Sequence, residues 1–571
     1  MRYPLHLRMT TGERTTSLAL LLVVVVLSVW LAAELPPHGF YSGDSGVKLI
    51  AARNAIAHPA RPFEIDLPTI NGRPVPHVER FFAVHGQHAH ALQSPLFPVL
   101  SAPLIAVFGL RGAYLLPLIG FVALLPLLIR MAKHAAPDVS MWTVAAVGIF
   151  AGPVLFYAFE FWEHVPAIAC LAGATALLSA SHPSRTHLVL SGSLSALAIL
   201  LRPEAVWYAV ALCGWQLHAK VRPTYYIAAA ALILSVFALL NFLESGNLMG
   251  LHASANLAPL LDDWARARIQ RGALWFWPGR GPHDADFASW GGSSTLWIAG
   301  ILVLAASWVA FFLGANARRC QTTALIAVAM LALDAATGAY SRESLWSCWP
   351  AGLLLMVPST RGKALAALWW LALFTIVAVW LSSTHDGGAQ WGPRFVLIAA
   401  PAMIVLAAAN LSDAASPGQA QRFRQAVVVI VLLAGLWTTR AAYRELRGTK
   451  QFYAQLVEAV DRVVENGSVI VFSTWWFDQV VASLHSTRTF LYADGRPAGA
   501  AILAELQAAG IHDAVLVWSR EQPEDSAAVE AVTHSCYQIT DTADVPERQL
   551  RILKLRCNVP EPLPGGLRIK P

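Results

Sequence analysis

Apolar runs long enough to cross a bilayer recur along the first 441 residues, set apart mostly by short polar connections. Windows of about twenty apolar residues fall at 16–33, 112–131, 139–157, 165–180, 187–201, 204–218, 225–242, 295–314, 321–340, 346–358, 364–382, 394–411 and 425–441. They predict a polytopic α-helical membrane protein of about thirteen transmembrane helices. Two connections break the rhythm. Residues 34–111 form a long first loop, and residues 243–294 a second one rich in Trp, Gly and Arg. In the first loop, Ser45 to His58 has the spacing of an amphipathic helix, and Pro95 to Phe108 is apolar but short for a crossing. Both are predicted to lie along the membrane surface, apolar face down. After residue 441 the pattern changes. Gln451 to Glu465 reads as an amphipathic helix, and 468–473, 489–492 and 514–518 as short buried strands, with helical stretches near 475–485 and 497–509 between them. That alternation predicts a small α/β domain with a parallel sheet. The chain thus divides into a transmembrane domain, 1–441, and a C-terminal domain, 442–571.

Composition sharpens this picture. Of 571 residues, 56% are hydrophobic and 13% charged, and the mean hydropathy is +0.51. Soluble domains carry charge on about a quarter of their residues, so a soluble globular protein is excluded. The net charge of +6 comes from Lys and Arg scattered singly between apolar spans. A nucleic-acid partner would call for a basic stripe instead. The first span is read as a retained helix, since many more follow it. Counting Lys and Arg in short connections puts Arg2, Arg8, Arg14, Arg130, Lys133, Arg318, Arg319 and Arg422 on one side, against only Arg202, Arg342 and Arg394 on the other. By the positive-inside rule the N-terminus is cytoplasmic, and the first loop, the 243–294 loop and the C-terminal domain lie outside. Cys536 and Cys557 are the two cysteines of that outer domain and are candidates for a disulfide.

The candidate chemistry gathers on the outer side. Asp44 follows the first span by about ten residues, in Tyr41-Ser42-Gly43-Asp44-Ser45-Gly46. With glycines that let the backbone turn tightly, it could serve as a base at the lipid–water boundary; a turn that caps the following helix is the other reading. Phe159-Glu160-Phe161-Trp162-Glu163-His164 places two acids and a histidine between apolar helices, where they either need polar partners or face water within an interfacial aromatic belt. Arg202 and Glu204 flank Pro203 and either pair with each other or bind a ligand. Trp275 to His283 reads as a lid or as lipid-surface packing. Asp334 sits inside a span, as a functional acid or a helix–helix hydrogen bond. Arg394 is the lone cation at an outer helix mouth, after the glycine-rich run 387–392, and Arg is suited to bidentate phosphate binding. His85, His88 and His90 are spaced so that they could bind a divalent ion, a weak signal. No Cys-Cys or His-Glu-x-x-His metal spacing occurs.

Taken together, these features resemble the GT-C superfamily of polytopic glycosyltransferases, which use polyprenyl-phosphate sugars. The resemblance rests on the Asp44 segment, on Pro95-Leu96-Phe97-Pro98, on Phe161 to His164, and on Gly387-Gly388-Ala389-Gln390-Trp391-Gly392-Pro393-Arg394. It extends to the overall plan, as in lipid A aminoarabinose transferases and protein mannosyltransferases. It implies a bacterial inner-membrane enzyme with a periplasmic C-terminal domain. A sugar would pass, with inversion, from a polyprenyl-phosphate donor to a hydroxyl of a glycan, lipid or protein acceptor. Asp44 would be the base, with Glu163 and His164 orienting the acceptor or assisting it. Arg394, then Arg202 and Arg53, would stabilise the leaving phosphate. Ser45 stands where the family often has a second acid, which leaves use of a divalent metal open. Rival classes are a lipid-linked oligosaccharide ligase or polymerase, a transporter and a non-catalytic scaffold; a transporter would show internal repeats, and none is visible.

Overall fold

The structure is a computed structural model and describes residues 11–180, 182–248, 268, 275–276, 295–337, 344–358, 362–383, 392–414, 421–519, 532, 535–545 and 550–557. It consists of two compact units. One comprises Met1–Leu35 and Tyr114–Gly448, the other Pro36–Ala113 and Thr449–Pro571. The first loop therefore belongs with the C-terminal domain, a division different from the expected 1–441 and 442–571.

The first unit is helical. Among the described residues of the chain, six helices are long and apolar enough to cross a membrane: Thr11–Ala33, Leu96–Ala135, Thr224–Glu244, Leu365–Ser382, Val396–Asp413 and Arg424–Val463. Shorter apolar helices, including His164–Leu178 and Arg185–Leu201, accompany them. Large apolar side chains such as Leu232, Leu243, Phe312 and Leu313 stay exposed, a surface suited to lipid tails. Two expected spans are broken. The 139–157 span runs as Met141–Ala145, a π-turn at Ala146–Phe150, and Val154–Ala158. The 346–358 span is a short helix, Leu345–Cys348, followed by a 3-10 stretch, Pro350–Met356. The two breaks meet: the Trp349 indole N–H donates to the Val147 carbonyl at 3.1 Å. A side-chain donor thus serves a backbone carbonyl at the irregularity, where an unmet one would be costly.

The second unit is built on a five-stranded sheet in the order 489–492, 469–472, 513–519, 550–557, 537–545. Val469–Phe472 runs parallel to both Thr489–Tyr492 and Asp513–Ser519, as the strand–helix alternation predicted. The last two strands, Tyr537–Val545 and Leu550–Cys557, add on antiparallel, and Cys536 is joined to Cys557 there. One face packs Val471, Leu491 and Leu516 against Ile502, Leu503 and Leu506 of the helix Gly495–Ala508. The other packs Ile470, Phe472 and Val517 against Leu456, Val457 and Val460 of the helix Gln421–Val463. Ile70, from the two-stranded ribbon Thr69–Ile70 and Arg73–Pro74, enters the first of these cores.

The helix Gly43–Ala57 corrects one expectation. It has no free apolar face to lay on a membrane, because Ser45, Gly46, Val47, Lys48, Leu49, Ala51, Ala52 and Ala55 are all buried. Its apolar stripe packs on protein, against the helix Leu96–Phe108 and the segment Phe477–Leu484. The glycines beside Asp44 do not make a tight turn either. They are the first turn of this helix, and a Cβ on Gly43 or Gly46 would lie 1.7 Å or 1.6 Å from an oxygen of Gln479. Their missing side chains permit close approach.

Candidate functional site

The expected site residues fall into two clusters, one in each unit. In the helical unit, Glu163 precedes the helix His164–Leu178, and Arg202 closes the helix Arg185–Leu201. Arg202 binds two carboxylates: its Nη1 donates to Glu163 Oε1 at 3.0 Å and its Nη2 to Glu204. Glu160 and Glu163 are 0% and 4% exposed, so this acidic turn is packed inside protein and does not face water as an interfacial belt would. A buried charge requires this kind of pairing.

Arg394 is delivered by a turn that needs glycine. Gly392 has φ +74°, a left-handed conformation costly for other residues, and Pro393 and Arg394 then lead into the 3-10 stretch Val396–Ala399. The guanidinium lies 5.9 Å from the ring centroid of Trp162 and 5.4 Å from that of Phe395. Arg202 lies 5.3 Å from the same Phe395 ring, so one aromatic ring carries both cations. Trp275, fully buried, packs on Phe395 at 6.1 Å, and His164 packs on Trp162 at 5.3 Å and on Tyr157 at 4.9 Å. Glu163, His164, Arg202 and Arg394 are therefore brought together in one aromatic-walled patch. Such a patch offers cations held by cation–π contact in a setting with little water.

In the second unit, Asp44 lies in the first turn of the helix Gly43–Ala57. Arg53 lies on the same helix and donates from Nη1 to the carbonyls of Ala482 and Ser483 at 3.1 Å and 3.0 Å. It ties the helix to the 482–484 turn. Close by are two buried acids that sequence reasoning did not single out. Glu79 is 0% and Asp478 is 4% exposed. Burial pushes Glu79 up to about 8; Phe81 N–H, Gln479 and Arg80 oppose the rise and Asp44 adds to it. Burial, then the nearby Glu79, also pushes Asp478 well up. Burial and the neighbouring Arg53 push His485 down to about 3, and its ring stacks on Phe490 at 4.3 Å. Arg80 lies over Trp475 at 5.3 Å, and Phe81 stacks on the same indole at 5.8 Å.

Of the three spaced histidines of the first loop, His85 and His90 pack ring to ring, with centroids 6.3 Å apart. His88 sits against Arg61, 2.8 Å away, and near Glu64 at 3.5 Å, while His90 is buried. Among the described residues, no group of three or more His, Cys, Asp or Glu side chains is placed to hold a metal ion. The glycine run 387–391 and, apart from Arg268, Trp275 and Phe276, most of the expected lid lie outside the described residues.

The fold joins a unit of apolar helices, several long enough to cross a membrane, to an α/β unit that includes the first loop. Among solved structures, the chain is similar to ArnT from Cupriavidus metallidurans in the apo state, at TM-score 0.50 and 11% identity, over 95% of this chain and 98% of that one. It is also similar to the same protein bound to undecaprenyl phosphate, at 0.49 and 12%, over 97% and 99%. A third is the Archaeoglobus fulgidus oligosaccharyltransferase tethered with an acceptor peptide, at 0.46 and 13%, over 96% and 74%. At this identity the likeness is one of fold. No protein-family profile matches the chain, and no curated protein does.

Proposed function

We propose that this protein is an integral-membrane glycosyltransferase that moves a sugar from a polyprenyl-phosphate donor to an acceptor hydroxyl on the extracytoplasmic face. The observation that carries the reading is the Arg394 patch. Arg202 is already engaged by Glu163 and Glu204, which makes it the anchor of the patch. The Arg394 guanidinium lies over the Trp162 and Phe395 rings, 5.9 Å and 5.4 Å from their centroids. Arg carries planar, forked donors of the kind that match a phosphate. Cations fixed in a low-dielectric site stabilise charge as it grows on a leaving phosphate. The GT-C fold, shared with ArnT, supports the same class.

In this reading the acceptor hydroxyl gives its proton to Asp44 and its oxygen attacks the anomeric carbon. The bond to the lipid phosphate breaks from the opposite face, with inversion, and the phosphate leaves as an anion beside Arg394. His164 and Glu163 orient the acceptor or the clamp, and Arg53 acts indirectly, by holding the helix that carries Asp44. The protein sits in the bacterial inner membrane with a cytoplasmic N-terminus and a periplasmic C-terminal domain, where the oxidising setting suits the Cys536–Cys557 disulfide. The partners are the lipid-linked donor, a glycan, lipid or protein acceptor, and membrane lipids.

The test is transfer of labelled sugar in membranes holding wild type or Asp44→Asn at equal protein level. Both single-sugar and oligosaccharide donors are offered, because a ligase would use the same carrier. Wild type should transfer from one of them and Asp44→Asn should lose about 10²-fold or more. Full transfer by Asp44→Asn would remove Asp44 from the mechanism.

A further inference from the structure

Two described residues of the 243–294 connection, Arg268 and Trp275, reach the cation patch of the helical unit by separate routes. Trp275 is fully buried, and its ring centroid lies 6.1 Å from that of Phe395, tilted by 44°. Phe395 is the ring that Arg394 and Arg202 share, at 5.4 Å and 5.3 Å. Arg268 takes the other route. Its Nε donates to the Leu381 carbonyl at 2.8 Å, and the Trp380 indole N–H donates to the Arg268 carbonyl at 2.9 Å. Ser382, next in the chain, accepts the Trp207 indole N–H at 2.8 Å. Trp207 stands in the first turn of the helix Ala205–His218, just after Glu204 and Arg202.

The Trp275 route bears on the chemistry. Connections ordinarily run over a surface, so an indole buried completely from one is committed to what it packs on. Phe395 is only half-buried, and a second ring set against it fixes its tilt. That tilt matters because an aromatic ring attracts a cation at its face and repels one at its edge. Arg202 keeps its two carboxylates whatever the ring does. Arg394, in contrast, lies over Phe395 and Trp162, so a turned Phe395 would remove part of its seat.

We propose that Trp275 is a positioning residue for the phosphate anchor: it sets the Phe395 ring and, through that ring, the direction in which Arg394 presents its donors. The role of Arg394 toward phosphate rests on the transferase reading; the relay from Trp275 through Phe395 to Arg394 does not. The 243–294 connection thereby tunes affinity for the lipid phosphate without touching it.

The experiment has two readouts on the purified full chain in detergent. The first uses no lipid: the rate at which phenylglyoxal modifies Arg394, followed by mass spectrometry, in wild type, Trp275→Leu and Trp275→Phe. Leu keeps apolar bulk but removes the ring, and Phe restores a ring. Arg394 should react about threefold or more faster in Trp275→Leu, the scale of one lost aromatic pair, and near the wild-type rate in Trp275→Phe. Equal rates in wild type and folded Trp275→Leu would overturn the relay. If Trp275→Leu does not fold, Phe395→Leu takes its place, and an unchanged Arg394 rate there would overturn the relay too. The second readout is polyprenyl-phosphate binding. Trp275→Leu should weaken it about threefold to tenfold, yet add no further loss in an Arg394→Ala background, because the two act as one unit. The same loss in both backgrounds would overturn the positioning role. If wild type binds no polyprenyl phosphate, the transferase reading fails, while the labelling rates still decide the relay.

Discussion

Arg202 shows how a single residue organises the helical unit's site. Its guanidinium satisfies one buried carboxylate, Glu163, and one half-buried one, Glu204, at once, and removing one partner of a buried pair leaves uncompensated charge. Glu163→Gln should therefore destabilise the protein by about 3 kcal/mol, read as a lowered thermal midpoint in detergent. An unchanged midpoint would mean that the pair adds nothing. These charges were legible in the sequence because an ionic side chain among apolar spans demands a partner. Glu79 and Asp478 were not, since an acid in a loop reads as solvated until the fold buries it. The only local hint is aromatic company: Phe81 and Phe82 follow Glu79, and Trp475, Trp476 and Phe477 precede Asp478. The aromatic walls were half legible. Trp162 stood inside a quoted motif, whereas nothing in the sequence pairs Phe395 with Trp275.

Elements were legible where periodicity decided them and opaque where the partner decided them. The spacing of residues 45–58 gave a helix, observed as Gly43–Ala57. It did not say whether the apolar stripe met lipid or protein, and protein is the answer. The three parallel strands came from short apolar runs. Strands beside Cys536 and Cys557 were also legible, but their antiparallel pairing, which makes the sheet mixed rather than parallel, was not. The glycine face of the helix yields a sharp expectation. In Gly46→Ala the new Cβ would meet the Gln479 carbonyl oxygen at 1.6 Å. The helix must shift, at a cost of about 1–3 kcal/mol, and transfer should fall with it. Gly12→Ala is the control, because nothing lies within 4 Å of its Cβ position. Equal stability of the two variants would contradict the close-packed seat.

At the scale of the whole molecule, the order of apolar runs, the long first loop and the late change to strand–helix alternation were enough to read a membrane plan. The division into units was not, because it depends on a long-range pairing. Ile70 enters the core of a sheet built from residues beyond 468, and the Tyr492 N–H donates to the His77 carbonyl at 3.0 Å. No local pattern announces such contacts. Arg394 as the lipid-phosphate anchor of a sugar transferase is tested most directly by binding of polyprenyl phosphate to purified wild type and Arg394→Ala. Wild type should bind saturably and the variant should lose about tenfold to a hundredfold, the scale of one charge-assisted contact. Equal affinity in the two, with both folded, would contradict it.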